Sequence, residues 1–584
     1  MRSRSLPIAL SLLIALSPPC FAEGVAELPP IQADDARLLP VIAAHGMVSS
    51  QEARATRIGV DILKAGGNAV DAAVAVGFAL AVTLPRAGNL GGGGFMLIHH
   101  AEDHESVAID YRETAPVAAT PDMFLDAKGE PDRAASTRSG KAVGVPGTVR
   151  GLAEAHRLYG SGRLTLAQLI APAEALARDG IAVDGGLADS LPRAAGLLGR
   201  WPSSRAIFFA GDRPLARGER LVQSDLAGTL KAIATFGPDA FYAGPIAERI
   251  AAAVREAGGV MQAGGVMQAG DLAAYRPVVR EPVRGTYRGH AIVSMPPPSS
   301  GGIHLIEILN ILEGFDLARM GAGSADAIHT LAEAMKPAYA DRATWLGDPA
   351  RTHVPVEGLT AKPYAETLRA AIDPAHARPA DAIKAGDPLP YESDQTTHFS
   401  VVDGDGNAVS NTTTLNFSYG LGLVAEGTGV LLNNEMDDFS AKTGAQNAYG
   451  LVGGEANAVA PGARPLSSMT PAFVFEGDRL ILVTGSPGGS RIISTVLQVI
   501  VNVLDFRMNL AEAVAAPRIH HQWRPDALMA EEGLSPDTIA LLRARGHKVV
   551  VGSTSGSANS VMAADGLLAG AADPRQRGTL AEGY

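Results

Sequence analysis

The 584-residue sequence contains a single cysteine, Cys20. Cys20 lies inside a leader-like segment, so removal of residues 1–22 would leave a chain with no cysteine and therefore no disulfide. The remaining chain must be stabilised by its core. A chain of this length with 46% hydrophobic residues can build a large one.

The sequence also lacks an excess of positive charge and, after the leader, any long apolar run. The formal net charge of -12 argues against a nucleic-acid partner, because phosphate binding needs clustered cations. No later apolar run approaches the roughly 18 residues that a membrane-spanning helix needs. The sequence therefore predicts no nucleic-acid binding and no membrane anchor.

The first residues, MRSRSLPIALSLLIALSPPCFAEG, have the layout of a secretory signal peptide. Arg2 and Arg4 precede a short apolar run, and small residues end at Ala22. Lipid attachment at Cys20 is the other interpretation, but the two prolines before it fit a lipoprotein cleavage box poorly. We expect cleavage before Glu23 and a periplasmic or secreted protein.

The pattern along the chain predicts helices first and strands later. A helix is expected from Gln51 to Ala65, followed by a very apolar helix from Ala69 to about Leu84 that should be buried between layers. The region of about 148–375 is mainly helical by periodicity, and it contains a six-residue duplication, AGGVMQ, at 257–268. The duplication is interpreted as a tolerated loop insertion. From Thr397 onward the residue pattern predicts strands. Many strands together with long buried helices indicate sheets whose outer faces are covered by helices.

Several motifs in order resemble the γ-glutamyltranspeptidases. QTTHFSVVD, TTTLN, LLNNEMDDFS, RPLSSMTP and TGSPGGSR look like the small subunit of that family, and GNAVDAAVAVGFALAVTLPRAGNLGGGGFM with YRETAP looks like its large subunit. The resemblance covers most of the chain and is weakest in the helical middle. It implies an α/β (α+β) fold, the four-layer αββα sandwich of N-terminal nucleophile hydrolases.

The resemblance also implies a precursor that cleaves itself between Gln395 and Thr396, which gives a large subunit, 23–395, and a small catalytic subunit, 396–584. A threonine hydroxyl is a poor nucleophile unless a base lies within hydrogen-bond reach. After cleavage the α-amino group of Thr396, with an ordinary pKa of about 7.7 to 8.0, would be held near its own hydroxyl. One residue would then supply nucleophile and base.

Two further motifs match the catalytic groups of the family. Thr414, in TTTLN, is similar to the threonine that hydrogen-bonds the nucleophile, and two-residue alternation would put Thr412, Thr414 and Asn416 on one face of a strand. LILVTGSPGGSRIIS indicates a strand, a glycine-rich turn and a helix start, and the resemblance makes Gly488 and Gly489 the oxyanion hole. A nucleotide loop is disfavoured because the GK[ST] ending is absent.

A γ-glutamyl group carries a free α-carboxylate and a free α-ammonium, so its pocket needs charges of both signs. Arg112, Ser467 and Ser468 resemble the carboxylate clamp of the family, and Asn416, Glu435 and Asp438 resemble the ammonium cage. Taken alone, Arg112 would be a surface ion pair and MDDF a solvated turn. Tyr449, within 442–454, matches the lid tyrosine of family members that cover the glutamyl pocket.

No metal or organic cofactor is expected. The paired histidines at 99 and 100 and at 520 and 521 lack a spaced set of metal ligands and are interpreted as structural. The run Gly91 to Gly94 lacks a following lysine, so close backbone packing beside the active site fits it better than phosphate binding.

The sequence thus predicts a γ-glutamyltransferase and glutathione hydrolase that acts on glutathione and related amides, with water, amino acids or dipeptides as acceptors. A relative that cleaves glutaryl-β-lactams or poly-γ-glutamate is the near alternative. Such substrates need no ammonium cage, so Asn416, Asp438 and Tyr449 favour the first interpretation. A secreted amino-acid-binding module without catalysis is the alternative from another class, and it predicts an uncleaved chain.

Overall fold

The computed structural model describes residues 38–258, 267–388, 399–552 and 556–584. Within them, two seven-stranded antiparallel sheets pack face to face, and helices cover the outer face of each. The four-layer αββα sandwich predicted from the sequence is confirmed.

The helices of the described residues, numbered in chain order, have the following bounds. They are α1 Ala53–Lys64, α2 Ala69–Thr83, α3 Arg133–Arg138, α4 Thr148–Tyr159, α5 Leu166–Asp179, α6 Gly185–Leu198, α7 Pro202–Phe208, α8 Ser224–Phe236, α9 Asp239–Tyr242, α10 Pro245–Glu256, α11 Ala269–Ala274, α12 Gly301–Leu312, α13 Leu317–Met320, α14 Ala325–Trp345, α15 Val356–Leu359, α16 Lys362–Ala370, α17 Ile492–Leu504, α18 Leu510–Ala515 and α19 Pro536–Ala544.

The strands are also numbered in chain order, and within each large sheet their spatial order differs from it. From edge to edge, the first large sheet contains β1 Val41–Ala43, β22 Leu567–Ala572, β21 Asn559–Ala564, β17 Arg479–Thr484, β16 Ala472–Glu476, β11 His290–Ser294 and β10 Val283–Tyr287. The second contains β23 Leu580–Gly583, β2 Met47–Ser50, β12 Phe399–Val402, β13 Ala408–Thr414, β3 Gly93–His100, β4 Glu105–Asp110 and β9 Val278–Arg280.

Short strands form four smaller sheets outside the sandwich. They pair β5 Ile181–Ala182 with β8 Arg220–Leu221, β6 Phe209–Ala210 with β7 Arg213–Pro214, and β14 Val424–Ala425 with β15 Val430–Leu431, and they group β18 Ile519–His520, β19 Leu528–Glu531 and β20 Val549–Gly552.

The apolar helix predicted from Ala69 is buried along its whole length. Every residue of α2 is buried, and α2 packs between α1, α4 and α5 on one side and the strands β12 and β13 on the other. An amphipathic pattern is absent because the helix has no solvent face. Asn68 and Asp71 form a capping box that begins the helix. The two predicted helices are therefore confirmed, with ends shifted by one or two residues.

The first sheet is covered by a separate set of helices. Helix α12 packs on β10 and β11 and contacts α14 and α17. The buried aliphatic side chains of these helices belong to the same hydrophobic core as the side chains between the two sheets. Removing one such large side chain typically costs about 2–5 kcal/mol. A second core lies beneath α1, α2 and α4.

The second sheet interleaves segments from the two sides of residue 396. Strand β12 pairs with β2, and β13 pairs with β3, so strands from the C-terminal third lie between strands from the N-terminal part. The strand pattern predicted after Thr397 is confirmed in these elements. The ends of β13 and β17 carry the motifs with predicted catalytic roles.

The helical middle contains strands that its periodicity did not predict. It is mainly helical, as expected, but β9, β10 and β11 add edges to the two large sheets. The hairpin between β10 and β11 turns at Arg288 and Gly289, both with positive φ. Strands of three to five residues are too short to dominate a periodicity, and their neighbours in the sheets come from distant segments.

Among the helices of the described residues, none combines the length and apolar character needed to cross a bilayer. Three predictions fall on residues that the structure does not describe: the signal peptide, the cleavage site between Gln395 and Thr396 with the nucleophile itself, and most of the AGGVMQ duplication.

Candidate active site

A cavity of about 550 Å³ lies where the ends of β13 and β17 meet the loop that follows Ser440. Its walls bring together predicted site residues from five separate segments. These are Thr414, Asn416, Glu435, Asp438, Tyr449, Ser467, Ser468, Gly488 and Gly489. Arg112 lies in contact with two of them, and Thr396 is outside the described residues.

Thr414 is the last residue of β13, where the strand pairs with Gly93 of β3. Its Oγ1 accepts a hydrogen bond from the backbone N–H of Asn416 at 2.7 Å. The glycines opposite it allow close strand approach: a Cβ on Gly92 would lie 2.0 Å from the carbonyl oxygen of Thr414. The predicted packing role of the Gly91 to Gly94 run is confirmed, because any side chain there would separate the strands.

Asn416 does not continue the strand, contrary to the two-residue alternation predicted for it. The strand ends at Thr414, and Asn416 has a φ of 71°, in the left-handed region that asparagine tolerates. Its Nδ2 donates to the carbonyl oxygen of Asn434 at 2.8 Å. Its Oδ1 is buried and has no hydrogen-bond partner within the described part of the chain.

The turn after β17 has the predicted strand–turn–helix geometry. Gly488 and Gly489 have φ of 142° and 57°, and a 3₁₀ turn, Gly489–Arg491, leads into α17. A Cβ on Gly489 would lie 2.6 Å from Cε1 of Tyr449, so this position has no room for a side chain. Backbone N–H groups at such a turn and at a helix start favour a negative charge beside them.

Arg112 is fully buried at the centre of an acidic cluster. Its Nη1 donates to Glu435 Oε1, its Nη2 donates to Asp438 Oδ2 at 2.7 Å, and its Nε donates to the carbonyl oxygen of Pro465 at 3.1 Å. Glu113 Oε2 lies 3.7 Å from Nη1. One guanidinium thus faces three carboxyl groups, so the cluster can accept a further positive charge.

Polar atoms of this cluster that lack hydrogen-bond partners also indicate that it can accept a further positive charge. Both carboxylate oxygens of Glu113 and Oε2 of Glu435 are buried without a hydrogen-bond partner among the described residues. Burial raises the pKa of Glu435 and of Asp438, and Arg112 opposes that rise. Burial likewise raises the pKa of Glu113 to about 7. Glu113 belongs to the YRETAP motif, yet no sequence pattern assigned it a role.

Ser467 and Ser468 lie beside the loop Pro296–Gly302, and a buried arginine holds them in place. The carbonyl oxygen of Ser467 accepts from Ser300 Oγ at 2.9 Å. Arg342 Nη2 donates to Ser468 Oγ at 3.1 Å and Arg342 Nε donates to Ser300 Oγ at 2.9 Å. No sequence pattern indicated a role for Arg342, because it lies within a long helix, α14, whose periodicity predicts only structure.

The loop of residues 442–454 closes one side of the cavity through Tyr449. The Tyr449 hydroxyl donates to the carbonyl oxygen of Asn416 at 2.7 Å. Gln522 Nε2 donates to the Tyr449 carbonyl oxygen at 3.2 Å, and Gln522 Oε1 accepts from Ser490 Oγ at 2.7 Å. Gln522, which follows the histidine pair at 520 and 521, therefore connects the loop to the glycine turn, a role that its own segment did not indicate.

Within the described ranges, one group of metal-ligating side chains lies apart from this cavity, at His329, Glu333 and His547. Glu333 is already bonded by Lys336 Nζ at 2.6 Å and by Arg378 Nε at 2.7 Å, and these cations oppose the addition of a divalent ion. His329 Nδ1 and His547 Nε2 are 2.8 Å apart and hydrogen-bonded. The geometry is that of a satisfied buried network.

The Gamma-glutamyltranspeptidase family model matches residues 55–583. The chain belongs to this family. It is 53% identical over 580 residues to "Glutathione hydrolase proenzyme" of Escherichia coli (strain K12), with 98% of each chain covered. It is also 41% identical over 549 residues to "Acylase ACY 1 proenzyme" of Pseudomonas sp. (strain SE83), covering 92% of this chain and 94% of the relative.

Among solved structures, cephalosporin acylase from Bacillus halodurans resembles this γ-glutamyltranspeptidase-family chain with a TM-score of 0.82 and 29% identity. The likeness covers 95% of this chain and 99% of that one. The chain is therefore an enzyme with the N-terminal nucleophile hydrolase fold, and both glutathione hydrolases and acylases are among its relatives.

Proposed function

We propose that the chain is a γ-glutamyl hydrolase and transferase that cleaves glutathione and related γ-glutamyl amides. The observation that carries this proposal is the shared cavity, in which the turn at Gly488 and Gly489 lies beside the carboxyl groups of Glu435 and Asp438. The identity to a glutathione hydrolase proenzyme supports it.

The pocket chemistry fits both ends of an α-amino acid. Asn416 Oδ1 and Glu435 Oε2, two buried acceptors without partners in the described chain, would receive N–H groups of the substrate ammonium together with Asp438. Ser467 and Ser468 would donate to the α-carboxylate, with Arg112 and Arg342 close behind them as positive charges. Charge-assisted contacts of this kind contribute on the order of 1.5–3 kcal/mol each.

We assign the nucleophile to Thr396. In the sequence Thr396 stands three positions before Phe399, the first residue of β12. Phe399 pairs with Asn411 in β13, the strand that ends at Thr414. The name of the E. coli relative includes "proenzyme", which supports cleavage of a precursor before the threonine becomes active.

The reaction then follows two balanced steps. The Thr396 hydroxyl adds to the γ-carbonyl carbon while its α-amino group takes the hydroxyl proton, and the N–H groups of Gly488 and Gly489 stabilise the oxyanion. The C–N bond breaks, the leaving amine receives that proton, and a γ-glutamyl ester remains. Water or an amine acceptor then attacks the ester in the reverse sense, which releases glutamate or a new γ-glutamyl amide and restores Thr396.

Intact mass and N-terminal sequencing of the purified protein test the processing directly. Two fragments are expected, the smaller beginning at Thr396, and the Thr396→Ala variant should remain one inactive chain. The neighbouring substitution Thr397→Ala, which keeps the nucleophile, is the matched control and should still be cleaved. A smaller fragment with any other first residue, or cleavage of the Thr396→Ala chain, would refute the assignment.

The acylase relatives make glutaryl amides a second candidate substrate class. A glutaryl group lacks the α-ammonium, so it would leave Glu435 and Asp438 buried with Arg112 as their one shared cation among the described residues. Turnover of γ-glutamyl-4-nitroanilide against glutaryl-4-nitroanilide decides between them. We expect the γ-glutamyl compound to have the higher kcat/KM, and a preference for the glutaryl compound would reverse the proposal.

We also propose that the enzyme is exported with loss of residues 1–22, to the periplasm or the medium, and works as a heterodimer of the two fragments. The charged, apolar and small-residue layout of the first residues supports the export. Fractionation of the producing cells, with mass analysis of the larger fragment, tests it; a fragment that retains residues 1–22 would contradict it.

A further inference from the structure

Arg86 lies in the wall of the active-site cavity and, within the described chain, has no acidic partner. It follows α2, it is only partly exposed, and it lines the cavity together with Gln576. Its Nη2 donates to Gln576 Oε1, and its carbonyl oxygen accepts from the Tyr419 N–H at 3.0 Å. Other arginines among the described residues form ion pairs with carboxylates. The Arg86 guanidinium is instead hydrogen-bonded to the side-chain amide of Gln576.

Among the described residues, three other arginines with little solvent exposure are paired with acids, whereas the buried Arg342 bonds the hydroxyls of Ser300 and Ser468. Arg112 bonds Glu435 and Asp438, Arg464 lies 3.0 Å from Asp110, and Arg518 lies 2.6 Å from Asp573. In Arg86 burial lowers the pKa, with only weak compensation from Tyr419 and Asp184. With a net charge of -12, the protein has many carboxylates that could pair with an arginine. Because Arg86 lies in a cavity wall and has an amide partner instead, it can bind the carboxylate of a ligand that enters the cavity.

The position of Arg86 relative to the acidic cluster indicates which anion. The loop after β13 connects the two: Asn416 bonds Asn434, beside Glu435, and three residues later Tyr419 bonds Arg86. Phe417 and Ser418, between them, line the same cavity. The wall thus runs from the proposed glutamyl pocket to Arg86, and a dipeptide attached to the γ-carbonyl has its own carboxylate at the far end.

We propose that Arg86, held by Gln576, binds the terminal carboxylate of the peptide beyond the scissile amide, either the leaving dipeptide of the donor or the acceptor dipeptide. This subsite rests on the proposed γ-glutamyl chemistry and adds a specificity for free peptide C-termini. A charge-assisted contact between guanidinium and carboxylate provides the discrimination.

A second group of arginines lies close enough to compete for this role. A groove of about 730 Å³ is lined by Arg133, Arg138 and Arg200, and it shares Phe417 and Ala448 with the active-site cavity. These three side chains are exposed to solvent. Exposed guanidinium groups are hydrated and need no partner, so they favour the substrate carboxylate less than Arg86 does.

The test compares substrates that differ only at the terminal carboxylate. In the donor arm, glutathione is measured against its C-terminal glycinamide by release of glutamate. In the acceptor arm, glycylglycine is measured against glycylglycinamide in transfer from γ-glutamyl-4-nitroanilide. The wild-type enzyme should prefer the acid over the amide by about ten- to hundredfold in kcat/KM in at least one arm, and the arm identifies the source of the carboxylate.

Arg86→Gln should reduce this acid-to-amide ratio to near one, and Arg86→Lys should restore part of it. Gln576→Glu is an independent variant, because an internal carboxylate on Arg86 should abolish the preference in the same way. Arg200→Gln, in the neighbouring groove, is the matched control and should keep the wild-type ratio. All variants are first checked for cleavage into two fragments.

A preserved acid preference in either Arg86→Gln or Gln576→Glu would overturn the subsite, as would loss of the preference in Arg200→Gln. A wild-type enzyme with equal rates on acid and amide would overturn it as well. Failure of the proposed function gives a different result, namely no turnover of γ-glutamyl-4-nitroanilide by the wild-type enzyme.

Discussion

At the scale of single residues, the cluster around Arg112 is short of positive charge. Arg112 is bonded to Glu435 and Asp438 and faces Glu113, and burial raises the pKa of each of these carboxyl groups. Removing charges from water is costly, and a buried acidic group that lacks a partner is more costly still. An arriving ammonium would relieve this imbalance, whereas a glutaryl group would not.

Asp438→Asn should therefore weaken the use of γ-glutamyl substrates selectively. Loss of one charge-assisted contact of about 1.5–3 kcal/mol lowers kcat/KM for γ-glutamyl-4-nitroanilide by about 10- to 150-fold. The effect should fall mainly on KM, because the contact forms already in the bound ground state. Glutaryl-4-nitroanilide is the control substrate; an equal loss with both substrates would show that the residue acts on the catalytic groups instead.

At the scale of elements, Tyr449 holds the loop of residues 442–454 against the cavity through hydrogen bonds to two separate parts of its wall. The hydroxyl of Tyr449 bonds the carbonyl oxygen of Asn416, and Gln522 bonds its backbone oxygen. Asn447 Oδ1 accepts from the backbone N–H groups of Tyr449 and Leu451, which shapes the loop tip. The hydrogen bonds from Tyr449 to Asn416 and from Gln522 to Tyr449 must both break for this segment to leave the cavity.

Tyr449→Phe removes the bond to Asn416 and keeps the ring that packs against Gly489. A net loss of about 0.5–1.5 kcal/mol in closure should raise KM for γ-glutamyl substrates by about 2- to 12-fold. Steady-state kinetics on γ-glutamyl-4-nitroanilide measure it. Tyr419→Phe removes a buried hydroxyl bond to Ser190 at 2.8 Å outside the loop, and it should leave KM unchanged. Equal effects of both substitutions would argue against a lid.

At the scale of the whole molecule, the two proposed fragments share one sheet. Strand β12 lies between β2 and β13, and β13 pairs with β3, so the second sheet is built from strands on both sides of residue 396. The last strand, β23, pairs with β2 on the other edge. Cutting one peptide bond before Thr396 leaves all of these ladders in place.

The cleaved fragments should accordingly co-elute on size exclusion as one particle at high salt, since apolar packing and strand pairing are weakly screened. They should separate only in denaturant. Expression of residues 396–584 alone should give insoluble protein, because β12 and β13 would lack their partners in the N-terminal part. A soluble, folded fragment of that kind would contradict the shared core.

Several buried histidines link the stability of the molecule to pH. His329 Nε2 donates to the carbonyl oxygen of Asp373, so its Nδ1 accepts the proton of His547 Nε2. Burial lowers the pKa of His547 to about 3, and Lys336, His329 and His521 add to this decrease while Glu333 opposes it. The folded state thus binds fewer protons at His547 than the unfolded state, whose histidine titrates near 6.5.

The stability that depends on neutral His547 is present above about pH 6.5 and decreases as the pH falls below it. Between pH 6.5 and 5 this one group contributes a loss of about 2 kcal/mol. His547→Gln should therefore lose less stability than the wild type between pH 7 and pH 5, as measured by thermal unfolding. The exposed His45, which has no ion pair with a described residue, provides the control variant His45→Gln, whose loss of stability over the same pH range should match that of the wild type.

The sequence by itself predicted the layers, the strands that follow Thr397 and several of the residues that line the cavity. Helix α2 is apolar on every side and could only be buried, and the strand, glycine pair and helix around Gly488 were readable from one segment. The motifs also identified Thr414, Glu435, Asp438 and Ser468, because local patterns and family resemblance both act on contiguous residues. The role of Thr396 remains a prediction of the sequence.

Only the tertiary structure decided which distant side chains meet. It turned Asn416 out of its strand and paired Arg112 with Glu435 and Asp438. It also brought Arg342, Gln522 and Arg86 to the site, although no sequence pattern had assigned a role to these three residues. Ion pairs and hydrogen bonds between residues far apart in the chain depend on packing over the whole sandwich. The residue pattern of a single segment therefore cannot predict them.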